Sequence, residues 1–513
     1  MGIQVSRATQ SLVVPPHPAV VNLYANAPRL DDNLIIPHGL REYLLLKHLG
    51  YAVPHPMLCY YNWGSKTPFK VQLHTCTMLT SNPRAYVLND MGTGKTKGAL
   101  WSWDFLRTGG YAGKLLVVAP LSTLNFVWGR ECFATLPKRK VAVLHGSKAR
   151  RLERLADPSI EIFIINHDGV KVILKELMER ADIDTLILDE LAVYRNNSDR
   201  SKIMRKLAER FNWVWGMTGA PMPNQPTDVW AQAKIVTPNT VPKFFKQARE
   251  MLMIKVDQFT YRPKADAVEN AFRMMQPSVR YALDDVVELP ETISRVIDVD
   301  LSDEQKKTYE KMSKLFQAMV QEKQITAVNA AAAMNKLLQV ALGWVYTKSP
   351  EYVVLDSKPR TDAMLDIINS AARKVLVFVP YRHALAGMSK LLTGQDIEHA
   401  VVHGDVTDRD TIFNLFQNTN KYKVLLAHPQ CLAHGLTLTA ADTIIWTCPT
   451  ASLEIYEQAN ARIRRVGQMH KQQILHLQAT PVEKRIYALL RNKQHVQDKL
   501  LELFEEATER KLS

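Results

Sequence analysis

Cysteine is scarce and poorly placed for cross-linking. The 513 residues hold five, Cys59, Cys76, Cys132, Cys431 and Cys448, an odd number with no C-x-x-C pair. That excludes a disulfide framework and a zinc ribbon, and it makes a reducing compartment the expectation. Long apolar runs are missing too: no stretch of about 18 uninterrupted apolar residues occurs, so no membrane span is expected. The opening MGIQVSRATQ lacks the charged-then-apolar order of a secretion signal. With 21 Gly and 26 Pro the chain is neither low-complexity nor collagen-like, and 46% hydrophobic residues can fill large cores. Acidic residues are the minority charge, 51 Asp+Glu against 65 Lys+Arg. The net charge of +14 favours a polyanionic partner such as nucleic acid.

At about 150 residues per domain the length allows roughly three compact units. Short β-branched apolar runs, each bounded by polar or Gly/Pro residues and followed by helical spacing, recur in two stretches. The first predicts strands at 85–90, 114–120, 161–166, 185–190 and 213–219, the second at 374–380, 399–404, 423–428, 442–448 and 473–479. Strands alternating with helices imply parallel sheets, which bind ligands at the carboxyl ends of their strands. The expected fold is therefore α/β, with two tandem doubly wound lobes, a small N-terminal accessory module and a C-terminal helix. The divisions are 1–65 (accessory module, a DNA-binding candidate), 66–298 (first lobe), 299–350 (helical linker), 351–480 (second lobe) and 481–513 (C-terminal helix). SDEQ at Ser302–Gln305 reads as a capping box that opens a helix with a stripe of Tyr309, Met312, Phe316 and Met319. A second stripe, Ile486, Leu489, Val496, Leu500 and Leu503, predicts a docked terminal helix.

The run VLNDMGTGKTKGALW (87–101) follows a strand and opens a helix, the context a phosphate-binding loop requires. Gly92, Thr93 and Gly94 would bring backbone N–H groups to phosphate oxygens, Lys95 would reach the β/γ-phosphates, and Thr96 would offer its hydroxyl to Mg²⁺. Asn89 stands where the full pattern has glycine. Downstream, LILDE (186–190) ends a hydrophobic strand in two carboxylates, costly to bury unless a metal offsets them. Asp189 would hold the metal, and Glu190 would orient or deprotonate the attacking water. QANARIRRVGQ (458–468) places Arg462 and Arg465 three apart, on one face if helical. They would stabilise the transferring phosphoryl group.

The order of these motifs resembles the superfamily-two helicases, and within them the SWI/SNF-type DNA-dependent ATPases, from about Phe69 to Gln468. APLSTLNFVWGRE (119–131) is similar to the family segment that touches a DNA strand. DELAVYRNNSDRSK (189–202) and MTGAPMPNQPTDVWAQ (217–232) resemble its second and third motifs, GLTLTAADTIIWTCP (435–449) its fifth, and Gln458, Arg462, Arg465, Gly467 and Gln468 its sixth. VELPETISRVIDVDLSDEQKKTYEKM (287–312) resembles the segment linking the lobes. The resemblance implies RecA-like lobes, ATP and Mg²⁺ as cofactors, and an adenine contact at Gln72. It places Gln458 at the nucleotide and Ser122, Trp128, Thr218 and Gly435 at DNA-side or coupling positions. It further implies a nucleotide between the lobes and sequence-tolerant binding of duplex or branched DNA. The compact form points to the cytoplasm of a bacterium or a virus-infected host, away from membranes; no residue names a protein partner. Leu191, Ala192, Ala220 and Ala433 depart from the family pattern and bear on ATP–DNA coupling. The expected activity is an ATP-dependent DNA translocase, with some likeness to fork-remodelling and branch-migrating members. A strand-separating helicase and a catalytically silent ATP-binding scaffold are the alternatives.

Overall fold

The computed structural model describes residues 3–65, 67–223, 225–257, 260–286, 288–321, 327–347, 351–432 and 436–492. The chain divides into two compact units, Met1–Val286 and Val287–Ser513.

The first unit begins with strands β1 (Gln4–Ser6), β2 (Ser11–Val14), β3 (Arg29–Leu30) and β4 (Asn33–Pro37), an antiparallel sheet in the order β1-β2-β4-β3. Its alternating pattern buries Leu12, Val14, Leu34 and Ile36 against Val20 and Leu46, the latter on the helix Leu40–His48. Tyr43 of the same helix packs into the neighbouring core with Met57, so the accessory segment is continuous with the lobe that follows it.

Strands β5 (Arg84–Val87), β6 (Lys114–Ala119), β7 (Val141–Val143), β8 (Ile162–Asn166), β9 (Ile183–Asp189) and β10 (Trp213–Met217) come next. They are followed by the hairpin β11 (Met253–Lys255) and β12 (Tyr261–Pro263), and by β13 (Ser278–Val279). Seven of these form one all-parallel sheet in the order β13-β5-β10-β9-β6-β8-β7. Both faces are covered, which is why Leu115–Ala119 of β6, Ile162–Ile165 of β8 and Leu186–Leu188 of β9 are buried apolar runs. β7 and β13 were not predicted: they are short edge strands of three and two residues, and β13 pairs with β5, about 190 positions away in sequence.

The second unit contains β14 (Thr292–Asp298), the hairpin β15 (Trp344–Tyr346) and β16 (Tyr352–Val354), then β17 (Lys374–Phe378), β18 (His399–Val402), β19 (Val424–Ala427), β20 (Ala441–Trp446) and β21 (Gln472–Gln478). Its six-stranded sheet is also parallel, ordered β14-β21-β20-β17-β19-β18. Here the structure corrects the expected boundary. β14 lies within the stretch assigned to the first lobe (66–298), but pairs along its whole length with β21, because a seven-residue edge strand gains a full ladder there. The capping box is present: Ser302 Oγ accepts from Gln305 N–H and Gln305 Oε1 from Ser302 N–H, each at 3.1 Å, at the start of the helix Asp303–Gln321. Tyr309 of the predicted stripe is buried, whereas the Met319 side chain lies outside the described residues. The terminal helix is described over Pro481–Arg491 with Ile486 and Leu489 buried; Val496, Leu500 and Leu503 lie outside the described residues. Among the described residues no helix is long and apolar enough to cross a membrane.

Candidate nucleotide site

Strand register assembles the site. Met217 of β10 is level with Val87 of β5 on one side and Asp189 of β9 on the other. The phosphate loop, Thr218 and the Asp189–Glu190 pair therefore leave the sheet side by side at its carboxyl edge, where such sheets bind ligands.

The loop turns on two glycines with positive φ, Gly92 at 88° and Gly94 at 78°, the latter capping the helix Lys95–Thr108. At Gly94 the positive φ favours glycine, and a Cβ there would lie 2.1 Å from Gln72 Nε2, displacing that amide. The Lys95 ammonium donates to Asn89 O at 2.7 Å and Asp90 O at 3.2 Å, and Thr93 Oγ1 donates to Asp90 O at 2.9 Å. Gln72 is buried on the helix Lys70–Ser81; its Oε1 accepts from Phe69 N–H at 2.9 Å and its Nε2 donates to Gly94 O at 3.4 Å.

Asn89, the departure from the glycine pattern, has its own function. Its buried side chain accepts from Tyr281 N–H at 3.0 Å, while Asp90 N–H donates to Tyr281 O at 2.9 Å and Leu283 N–H to Asp90 Oδ2 at 3.3 Å. The segment from β13 to Leu283 thus clamps the loop, and the Tyr281 hydroxyl hydrogen-bonds His74 beside Gln72. No local sequence signal could have revealed partners about 190 positions apart, and the sequence reading did not find Tyr281.

Asp189 Oδ2 accepts from the Trp128 indole N–H at 2.8 Å, and Oδ1 from Glu190 N–H at 3.1 Å. Burial raises the Asp189 pKa above the ordinary value, opposed by the Trp128 hydrogen bond, the Lys95 charge and the Glu190 amide. Glu190 has left-handed backbone, φ 50°, a strained geometry for a residue with a Cβ and one that clusters at functional sites. Trp128, one of the residues expected at a DNA-side or coupling position, has a fully buried ring on the stretch Leu124–Gly129, which winds as a π-helix. Thr218 is also buried, its Oγ1 accepting from Ala220 N–H at 3.2 Å, while Ser122 is exposed in the turn Leu121–Thr123. Leu191 and Ala192, the departures after the acidic pair, are core residues.

In the second unit Gln458 is buried on the helix Leu453–Asn460, its Nε2 donating to Glu454 Oε1 at 3.3 Å. That helix stops before the arginines, which therefore do not share a helical face as expected: the carbonyl of Arg462 accepts from Leu438 N–H at 3.0 Å instead of extending the helix. The Arg462 side chain is buried, Nε donating to Gln458 O at 2.6 Å and one terminal nitrogen to Leu436 O at 3.0 Å. Arg465 is half-buried, with Nε donating to Ala461 O at 3.1 Å. Gln468 donates to Ala441 O at 2.9 Å, a structural contact. Gly435 and Ala433 lie outside the described residues.

The donor set allows a test of the implied metal. Among the described residues no group of three or more His, Cys, Asp or Glu could hold an ion unaided. One carboxylate, Asp189, and one hydroxyl, Thr96, on the same edge suit Mg²⁺, which is held by one or two carboxylates together with substrate phosphates. The residues fit a magnesium ion that arrives with a triphosphate.

The SNF2-related domain family matches residues 74–346, and the helicase conserved C-terminal domain family matches residues 359–467. Protein p41 of Acyrthosiphon pisum secondary endosymbiont phage 1 is 26% identical over 429 residues, covering 80% of this chain and 90% of that protein. An uncharacterised ATP-dependent helicase of Mycoplasma genitalium is 24% identical over 424 residues, covering 80% of this chain but only 40% of that protein. A Sulfolobus solfataricus SWI2/SNF2 ATPase core solved with double-stranded DNA aligns with 18% identity and a TM-score of 0.39, over 87% of this chain and 98% of that one.

Proposed function

The chain belongs to the SNF2-related family and is a DNA-dependent ATPase, and from this we propose that it couples ATP hydrolysis to movement along DNA. The observation that carries the reading is the register that brings the Lys95 loop level with Asp189 and Glu190. Lys95 leaves its two carbonyls for the β/γ-phosphates, and the loop amides from Gly92 to Thr96 bind phosphate oxygens. Thr96 and Asp189 hold Mg²⁺, which neutralises charge on those oxygens. Gln72 contacts the adenine, Gln458 contributes to nucleotide binding, and Glu190 orients or deprotonates the attacking water. Arg462 and Arg465 supply positive charge to the transferring phosphoryl group, a contribution of about 10³ to 10⁵ in rate where arginines act this way.

DNA is gripped through phosphates, so binding is sequence-tolerant and weakens with salt. Ser122 is the exposed member of the proposed DNA-side set; Trp128, Thr218 and Gly435 belong to coupling. The proposed setting is the cytoplasm of a bacterial or phage-infected cell. Remodelling of forks or branch migration is the finer form of the proposal, and fork and four-way-junction substrates distinguish it from translocation alone.

The deciding experiment is ATP turnover with no nucleic acid and with duplex, single-stranded or forked DNA. Turnover should rise with DNA and be lost in Lys95→Ala; equal rates for both proteins on every substrate would leave a silent ATP-binding scaffold. Arg462→Ala should bind nucleotide but turn over at least about 10³-fold more slowly. Unchanged turnover would remove Arg462 from its role.

A further inference from the structure

We propose that one peptide group of the phosphate loop transmits the position of the Lys95 ammonium to the segment 278–286, the last stretch of the first unit. The group joins Asn89 to Asp90. Its oxygen accepts from Lys95 Nζ at 2.7 Å, and its N–H donates to Tyr281 O at 2.9 Å. A trans peptide is a rigid plane with its oxygen and its hydrogen on opposite edges. Lys95 and Tyr281 therefore hold the same plane from its two sides.

Tyr281 is bound to the nucleotide site through its amide, its carbonyl and its hydroxyl. The N–H donates to Oδ1 of the buried Asn89 at 3.0 Å, the carbonyl accepts from Asp90, and the hydroxyl is hydrogen-bonded to His74 Nδ1. Asn89 Nδ2 in turn donates at 3.4 Å to the hydroxyl of Thr75, on the helix that carries Gln72. Two positions beyond Tyr281, Leu283 N–H donates to Asp90 Oδ2 at 3.3 Å. Ladder pairing of the segment ends at Val279. Past that point the backbone bonds Asp285 N–H to Ala282 O and Val286 N–H to Leu283 O close on the segment itself. Its hold on the carboxyl edge of the sheet runs through Asn89 and Asp90, the two residues whose carbonyls also hold Lys95.

Charge makes this link responsive. A hydrogen bond accepted at a peptide oxygen polarises the group and strengthens what its N–H donates, by about 10–30% per bond. A charged donor such as an ammonium acts more strongly than a neutral one. With Lys95 on the carbonyls, the Asp90–Tyr281 bond is tightened. When Lys95 moves to the β/γ-phosphates that polarisation is withdrawn, and the segment loosens where the chain leaves the first unit. This second step rests on the proposed transfer of Lys95 to phosphate. Tyr281 takes a positioning role in it, not a catalytic one, and the nucleotide state becomes legible at Val286.

The test is hydrogen–deuterium exchange of the full chain, read on the fragment 278–286 with the central strand β6 as reference. Without nucleotide, Lys95→Ala should exchange this fragment about twofold or more faster than wild type, because the ammonium is gone from the Asn89 carbonyl. Asp90→Ala, which deletes the acceptor of Leu283 N–H, should accelerate it likewise. Asp90→Asn keeps a side-chain oxygen and should stay at the wild-type rate. Exchange in Lys95→Ala at or below the wild-type rate, a rise shared by β6, or equal rates in the two Asp90 variants would overturn the proposal. Wild type saturated with Mg²⁺ and AMP-PNP, a non-hydrolysable ATP analogue, should show the same acceleration at 278–286. If Lys95→Ala accelerates the fragment while saturated wild type does not, Lys95 keeps its carbonyls with nucleotide bound. Its phosphate role then falls and the peptide link stands.

Discussion

At the end of a buried strand, burial raises the pKa of Asp189, and Trp128, Lys95 and the Glu190 amide oppose that rise. A buried acceptor that loses its donor bears the desolvation penalty directly, and partners that orient a metal ligand are worth about 10- to 100-fold in metal affinity or activity. Trp128→Phe keeps the ring and deletes the N–H. It should raise the Mg²⁺ concentration for half-maximal turnover by about tenfold or more, while binding of fluorescent ADP without Mg²⁺ stays at the wild-type level. A magnesium titration of both readouts checks this; an unaltered Mg²⁺ dependence would detach Trp128 from the site. Tryptophan was legible as a motif residue, but its direction was not, since only the inward turn of Leu124–Gly129 sets it.

Among the elements of the second unit, the helix Pro481–Arg491 is tied down by one carboxylate. Glu483 accepts from Ala479 N–H at 2.8 Å and Thr480 N–H at 3.0 Å and pairs with Arg360 at 2.9 Å. Arg360 in turn donates to Thr447 O and to Leu477 O, the latter at 3.3 Å, joining the ends of β20 and β21. Both side chains are buried, and breaking such a pair from one side costs about 3–5 kcal/mol. Urea denaturation of Glu483→Ala should show a loss of that size in the second unit, with ADP binding at the Lys95 loop retained. The strands of the two sheets other than β7, β13 and β14 were legible because doubly covered parallel strands are largely apolar. β14 was not predicted as a strand, and its stretch was placed within the first lobe, since its pairing with β21 spans about 180 residues and leaves no mark in its own seven.

At the scale of the whole molecule, each unit carries a buried histidine that resists protonation. Burial pushes His55 down to about 4, helped by the charges of Lys47 and His38, and pushes His476 down to about 4 against a hydrogen bond to the Arg295 carbonyl. The unfolded chain takes up a proton near the ordinary histidine value of 6.5, which the folded chain refuses until about 4. Stability therefore falls as pH drops through that window, by about 2 kcal/mol per histidine at pH 5. Thermal denaturation between neutral and mildly acidic pH should show both units weakening, and His55→Gln should flatten the response of the first alone.

What the amino-acid order determined unaided was local: apolar runs that must be strands, glycines at 92 and 94 that permit a phosphate-binding turn, a capping box at Ser302, and an excess of cations. Only the folded chain decided which of these meet. The level of Val87, Met217 and Asp189, the clamp of Tyr281 on Asn89 and the inward ring of Trp128 join residues tens to hundreds of positions apart. Each depends on strand register and on the burial of polar groups that must find partners, quantities that exist only once the sheet has formed.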